Sequence, residues 1–166
     1  MTDFDPAEGA DDSGASVAAP TIRQVMAVAA LLNAGVALYL HLWKLGYMGA
    51  LACGAGQGCE MVQLSSWGWF LGVDVALIGA VGYTLILIVA ILGTQDRFAG
   101  ERWPTLALMG LVYPAFLFTL RLKYAEFFIM KTFCPWCAIS AVTMTTFTVL
   151  AWLDWKRVRG VADDQG

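Results

Sequence analysis

Four apolar runs, each about as long as a bilayer is thick, constrain this chain more than any other feature. Val25 to Trp43 carries no formal charge and is interrupted only by Asn33 and, near its end, His41. As a helix it would span about 28 Å, close to the roughly 30 Å of bilayer hydrocarbon. Phe70 to Gly93 is the second run, with Asp74 near its start. Trp103 to Leu120 is the third; it is short, and Pro114 is expected to kink it. Phe127 to Trp155 is the longest, with Lys131 in its first turns and Asp154 at its end. Composition agrees: 59% of residues are hydrophobic and 14% charged, against roughly 45–50% and about 25% in ordinary globular domains. A mean hydropathy of +0.66 over 166 residues is too apolar to hide in one small core. In lipid each span must satisfy its own backbone polar groups. The expected fold class is therefore all-α integral membrane, a four-transmembrane-helix bundle.

The runs divide the chain into three parts. Residues 1–21 hold Asp3, Asp5, Glu8, Asp11 and Asp12 with no base, and read as a disordered acidic tail. They lack the positive start of a secretory signal peptide. Residues 22–156 form the membrane domain, and 157–166 a short polar C-terminal tail. An even number of spans puts both termini on one side, with Arg23, Arg97, Arg102, Lys156, Arg157 and Arg159. The other side holds Lys44, Arg121, Lys123 and Lys131, so the excess of bases favours cytoplasmic termini in a plasma (inner) membrane. A net charge of −3 without a basic stripe argues against nucleic acid.

With that topology the four cysteines converge on the outer face. Cys53 and Cys59 lie in the loop after the first span, around a stretch rich in glycine. Cys134 and Cys137 are expected about two turns into the fourth helix. Residues three apart share a helix face, so the two sulfurs can bridge. A CxxC commonly marks a redox dithiol whose thiolate is held by local positive potential. Lys131 either supplies some of that potential or is an interfacial lysine. An all-cysteine zinc site is disfavoured, because one pair is wider than usual zinc spacings and the other sits in an apolar helix. Two inert disulfides remain as an alternative, although closing one helical turn stabilises little. Facing pairs at a membrane surface suit relay of two electrons from a soluble thiol to a lipid-soluble acceptor. Without a haem or dinucleotide motif, a quinone is the economical acceptor.

These residues resemble the vitamin K epoxide reductase (VKOR) family in its bacterial, disulfide-forming branch. The resemblance rests on Cys53-x5-Cys59, Val62 and Ser65, Gly72 and Gly79 leading to Tyr83, and the late Cys134-x2-Cys137. DsbB-type quinone oxidases carry their two cysteine pairs in the opposite order. The resemblance implies a thiol:quinone oxidoreductase that generates disulfides de novo. Cys53 would exchange with a thioredoxin-like (DsbA-like) exported partner, Cys59 would pass electrons to Cys134, and Cys137 would reduce a quinone of ubiquinone or menaquinone type. Ser65 matches the family's polar residue beside the quinone head. Asp74 and Trp136 complete the candidate quinone-binding set, Asp74 having a helix cap as its alternative role.

The animal members' quinone-binding asparagine and tyrosine correspond here to Val75 and Ala141, which argues against vitamin K epoxide as the substrate. Some members carry a fused thioredoxin domain; here the partner is expected to be a separate protein. The alternatives are a quinone or quinone-epoxide reductase driven by other thiols, and a membrane interaction or transport protein with structural cysteines. Among the other polar residues, His41 reads as an interfacial group or a proton relay. Asn33 and Tyr83 read as helix-packing residues. Trp67, Trp69 and Phe70 are expected to anchor a short interfacial helix.

Overall fold

The computed structural model of the chain describes residues 13–53, 58–95, 97–98 and 101–163. Its order is α1 (Ser13–Lys44), α2 (Gly58–Leu64), a 3-10 turn (Ser66–Gly68), β1 (Trp69–Phe70), β2 (Val73–Asp74), α3 (Val75–Thr94), α4 (Trp103–Tyr124), a π turn (Ala125–Ile129) and α5 (Pro135–Asp163). Four segments are long and apolar enough to cross a membrane: Ile22–Lys44, Val75–Thr94, Trp103–Ile129 and Pro135–Gly160. The fold is an all-α four-helix membrane bundle. Residues 1–12 of the acidic tail lie outside the described residues, α1 begins at Ser13, and α5 runs on to Asp163.

Local chemistry sets the ends of the spans. α1 closes at Gly46, whose φ of +81° allows a left-handed cap. Tyr47 N–H then bonds Leu42 C=O at 3.1 Å and Gly46 N–H bonds Trp43 C=O at 2.9 Å, the paired bonds of a Schellman motif. Asp74 caps α3 by accepting the Ala76 N–H at 3.0 Å.

Between them, β1 and β2 pair antiparallel with Trp69 opposite Asp74. Leu71 and Gly72 turn the hairpin at φ of 52° and 81°, the sign that a two-residue primed turn demands. The expected interfacial helix is thus one 3-10 turn and a hairpin. Arg121 on α4 holds this cap, its guanidinium 4.9 Å from the Trp67 ring and 5.6 Å from that of Phe70.

The third and fourth spans depart most from expectation. Helix continues through Pro114 and, by the π turn, reaches Ile129. Met130 N–H bonds Ala125 C=O at 2.9 Å, the wide closure of that turn. Lys131, at φ of 50°, then reverses the chain. The fourth helix starts at Pro135, where proline's missing N–H costs nothing. The apolar run from Phe127 to Trp155 is therefore two helix ends and a connection.

Met26, Ala30, Tyr83, Ile86, Leu108, Val112, Met144 and Phe147 interleave from all four spans as the main core. A second cluster joins Leu40, Leu51 and Ala76 to Cys59 and Cys134. At the far end of the bundle Arg23 links every span. Its guanidinium donates to Asp154 Oδ2, to Thr105 Oγ1 and to the Gly93 carbonyl. Thr105 Oγ1 donates to the same Asp154 oxygen at 2.7 Å. Gly93 is required there, since a Cβ would stand 3.1 Å from Arg23 Cδ and 3.2 Å from Pro104 Cβ.

Candidate active site

Cys53 and Cys59 form a disulfide, with their Cα atoms 5.9 Å apart, while Cys134 and Cys137 are free thiols. Cys59 lies in the first turn of α2 and is fully buried, as is Cys134. Gly58 lets the two pairs approach. A Cβ there would collide with the carbonyl oxygen of Phe133 and lie 2.8 Å from Thr132 Oγ1.

The CxxC does not sit two turns into a helix, as expected; it opens one. Cys134 C=O accepts the N–H of Ala138 at 3.0 Å, which makes Cys134 the N-cap of α5. Its sulfur accepts the N–H of Cys137 at 3.3 Å. A helix N-terminus stabilises negative charge. The Cys137 thiol, hydrogen-bonded to the Cys134 sulfur, brings the Cys134 thiol below its ordinary value despite burial. Lys123 acts in the same direction and Glu126 against it. Lys131 is exposed on the connection before the helix and supplies no such bond.

Cys137 packs against the same cluster as Cys134 and, unlike Cys134, also lines a cavity of about 460 Å³ among the four spans. The walls are mostly apolar, with a few polar groups converging, as small-molecule sites are built. Gln63 Nε2 lies 3.9 Å from Cys137 Sγ, and Gln63 is itself buried. The hydroxyls of Tyr83 and Ser140 meet at 2.7 Å across α3 and α5. Asn33 donates to Ala29 C=O and to Thr143 Oγ1, so it both packs helices and lines the cavity. Glu126, 1% exposed, accepts the backbone N–H of Cys134 at 2.7 Å and the ammonium of Lys123 at 2.7 Å.

Of the three expected quinone-binding residues, Trp136 alone lines the cavity. Its Nε1 donates to Ala52 C=O at 2.9 Å, tying the CxxC to the segment that carries Cys53. Ser65 is half-buried and gives its hydroxyl to Val62 C=O at 2.7 Å, so its local role is that of a turn residue. Asp74 is a buried helix cap paired with Lys44 and with His41 Nδ1 at 2.7 Å. Burial opposes its charge, but the bonds from Lys44, His41 and the Ala76 N–H prevail and hold the carboxyl below its ordinary value. Val75 lines the cavity, while Ala141 borders a separate shallow groove on α5.

Gln63, Lys123 and Glu126 were not singled out from the sequence. Gln63 carries a legible signal: it follows Cys59 by four residues, hence on the same face of α2. Lys123 and Glu126 carry none, because the apolar pattern placed them in a loop.

A four-span membrane bundle with a disulfide, a neighbouring dithiol and a mostly apolar cavity beside one thiol defines a membrane oxidoreductase that works through cysteine pairs. Residues 24–152 match the model of the vitamin K epoxide reductase family. The chain belongs to that family.

Proposed function

We propose that this protein is a membrane thiol:quinone oxidoreductase that generates disulfides de novo for exported proteins. The observation that carries the reading is the place of the CxxC between the other cysteine pair and the cavity. Cys134 and Cys59 share one buried cluster, and Cys137 packs against that cluster while also lining the cavity. One pair thus touches two redox partners. A thioredoxin-like dithiol attacks the Cys53–Cys59 disulfide at Cys53 and leaves oxidised. Cys59 then passes the electron pair to Cys134, restoring the first disulfide and reducing the Cys134–Cys137 pair. Oxidation of that pair back to a disulfide sends two electrons and two protons to a ubiquinone- or menaquinone-type acceptor in the cavity.

Trp136 serves as a wall of the quinone site. Ser65 and Asp74 serve it from outside the cavity, by fixing the turn after α2 and the start of α3. The cysteines face the outside of the cell inner (plasma) membrane, where disulfides persist, and both termini are cytoplasmic. The functional unit is residues 22–156, flanked by the acidic tail 1–21 and the polar tail 157–166.

The test is quinone reduction by the purified, dithiol-reduced protein in detergent. Loss of quinone absorbance is expected with the wild type and not with Cys137→Ser. Failure of the wild type to reduce any common quinone would overturn the reading in favour of structural cysteines.

A further inference from the structure

Two charged side chains line the apolar cavity, and the electron relay above uses neither. Lys123 and Glu126 stand one turn apart where α4 passes into the π turn, a distortion that recurs at functional sites. Each carboxylate oxygen of Glu126 has its own partner, Oε2 the Lys123 ammonium and Oε1 the Cys134 N–H. The Lys123 side chain is 16% exposed, its ammonium 5.5 Å from the Phe127 ring and 5.8 Å from that of Phe133. Among the described residues it is the one cation in the cavity wall. The polar side chains facing it from α1, α2 and α3 are the neutral Asn33, Gln63 and Tyr83. A desolvated ion pair is a poor stabiliser compared with apolar packing. Its place beside the reacting thiols therefore points to chemistry.

We propose that Lys123 is the electrostatic catalyst of quinone reduction, its ammonium bonding the quinone oxygen that gains charge, and that Glu126 is the positioning residue holding Lys123 there. This inference rests on the quinone-reductase reading above. In the step, two S–H bonds break and the Cys134–Cys137 S–S bond forms. Two electrons and two protons pass to the quinone, which leaves as the hydroquinone. Lys123 gives one proton to the oxygen in its reach and regains one from the thiols, ending as it began. Glu126 ties this donor to the Cys134 backbone, so the cation and the dithiol are held in register. A fixed donor aimed at developing charge in a dry site is worth far more than one in water.

The experiment uses the full chain in detergent with a short-chain ubiquinone as probe, and diamide as a quinone-independent oxidant of the same thiols. Lys123→Met is expected to lower kcat for the quinone by about 100-fold, with KM little changed and the diamide reaction unaffected. Lys123→Arg should restore most of the rate, and Glu126→Gln should fall between. Lys131→Met, at an exposed cation outside the cavity, should match the wild type. A Lys123→Met protein with wild-type kcat, beside an active wild type, overturns this inference and leaves the quinone-reductase reading standing. Equal loss of the quinone and diamide reactions in both Lys123 variants also overturns it, by assigning the pair a structural role. A wild type that diamide oxidises but no quinone does overturns the parent reading and this one with it.

Discussion

Gly58 lies so close to the carbonyl of Phe133 that no side chain fits between them. The residues that follow each of these, Cys59 and Cys134, are the buried members of the two cysteine pairs. The close approach of α2 to the start of α5 therefore depends on one missing methyl group. Gly58→Ala must push α2 away, because the obstructing atom is backbone and cannot rotate aside. A stability loss of about 1–3 kcal/mol is expected from such overpacking, read as a lower melting temperature in detergent. Exchange between the two pairs should slow as well, followed by quenching and mass mapping of the cysteines. An unchanged exchange rate would show that the contact is not what aligns them.

Cys134 is an acid held below its ordinary value, so its thiolate is populated at lower pH than that of a free cysteine. The first cause is the hydrogen bond from the Cys137 thiol. Cys137→Ala removes this donor and should move the Cys134 titration upward. Ultraviolet thiolate absorbance reads it directly while Cys53 and Cys59 remain bridged.

Asp74 makes acid stability a further check. Its carboxyl is depressed in the folded protein, so its contribution is fully present above the unfolded value, about 3.9, and is lost as pH falls through the folded value. Asp74→Ala should cost about 1 kcal/mol or more near neutrality through the lost cap. The gap in melting temperature from wild type should narrow below about pH 4. A gap independent of pH would mean that the charge of Asp74 contributes nothing.

Arg23 and Asp154, 3.1 Å apart and each 1% exposed at the side chain, tie the opposite end of the bundle. Removing one partner strands the other charge in a buried site, at a cost of about 3–5 kcal/mol. Arg23→Met should therefore destabilise strongly. The double variant Arg23→Met/Asp154→Leu should recover much of the loss in a detergent melt. If the double variant is as unstable as the single one, the hydrogen bonds to Gly93 and Thr105 matter more than the ion pair.

Much of this molecule is legible without coordinates. Run length and apolarity alone require four spans, since a bilayer admits few alternatives to closed helices. The order of the cysteine pairs and their spacing point to the family. Helix punctuation is only partly legible. Gly46 and Asp74 act as local chemistry suggests, but the run from Phe127 onward hides a chain reversal. Its residues are apolar on both sides of the break, so hydropathy has no contrast with which to mark it. Pro135 was the available signal, because a proline at the first helical position starts a helix as readily as an interior one kinks it.

The sequence by itself determined the membrane class, the number of spans and the identity of the four cysteines, because length, hydropathy and spacing are one-dimensional properties. Only the tertiary structure decided what lies beside each thiol. Cys134 and Cys137 are three residues apart and share one packed group with Cys59, yet only Cys137 lines the cavity. Glu126 reaches the Cys134 backbone only because α4 overruns its apolar stretch and closes in a π turn. Such relations depend on where helices begin and how they cross, and no pattern along a single chain records that.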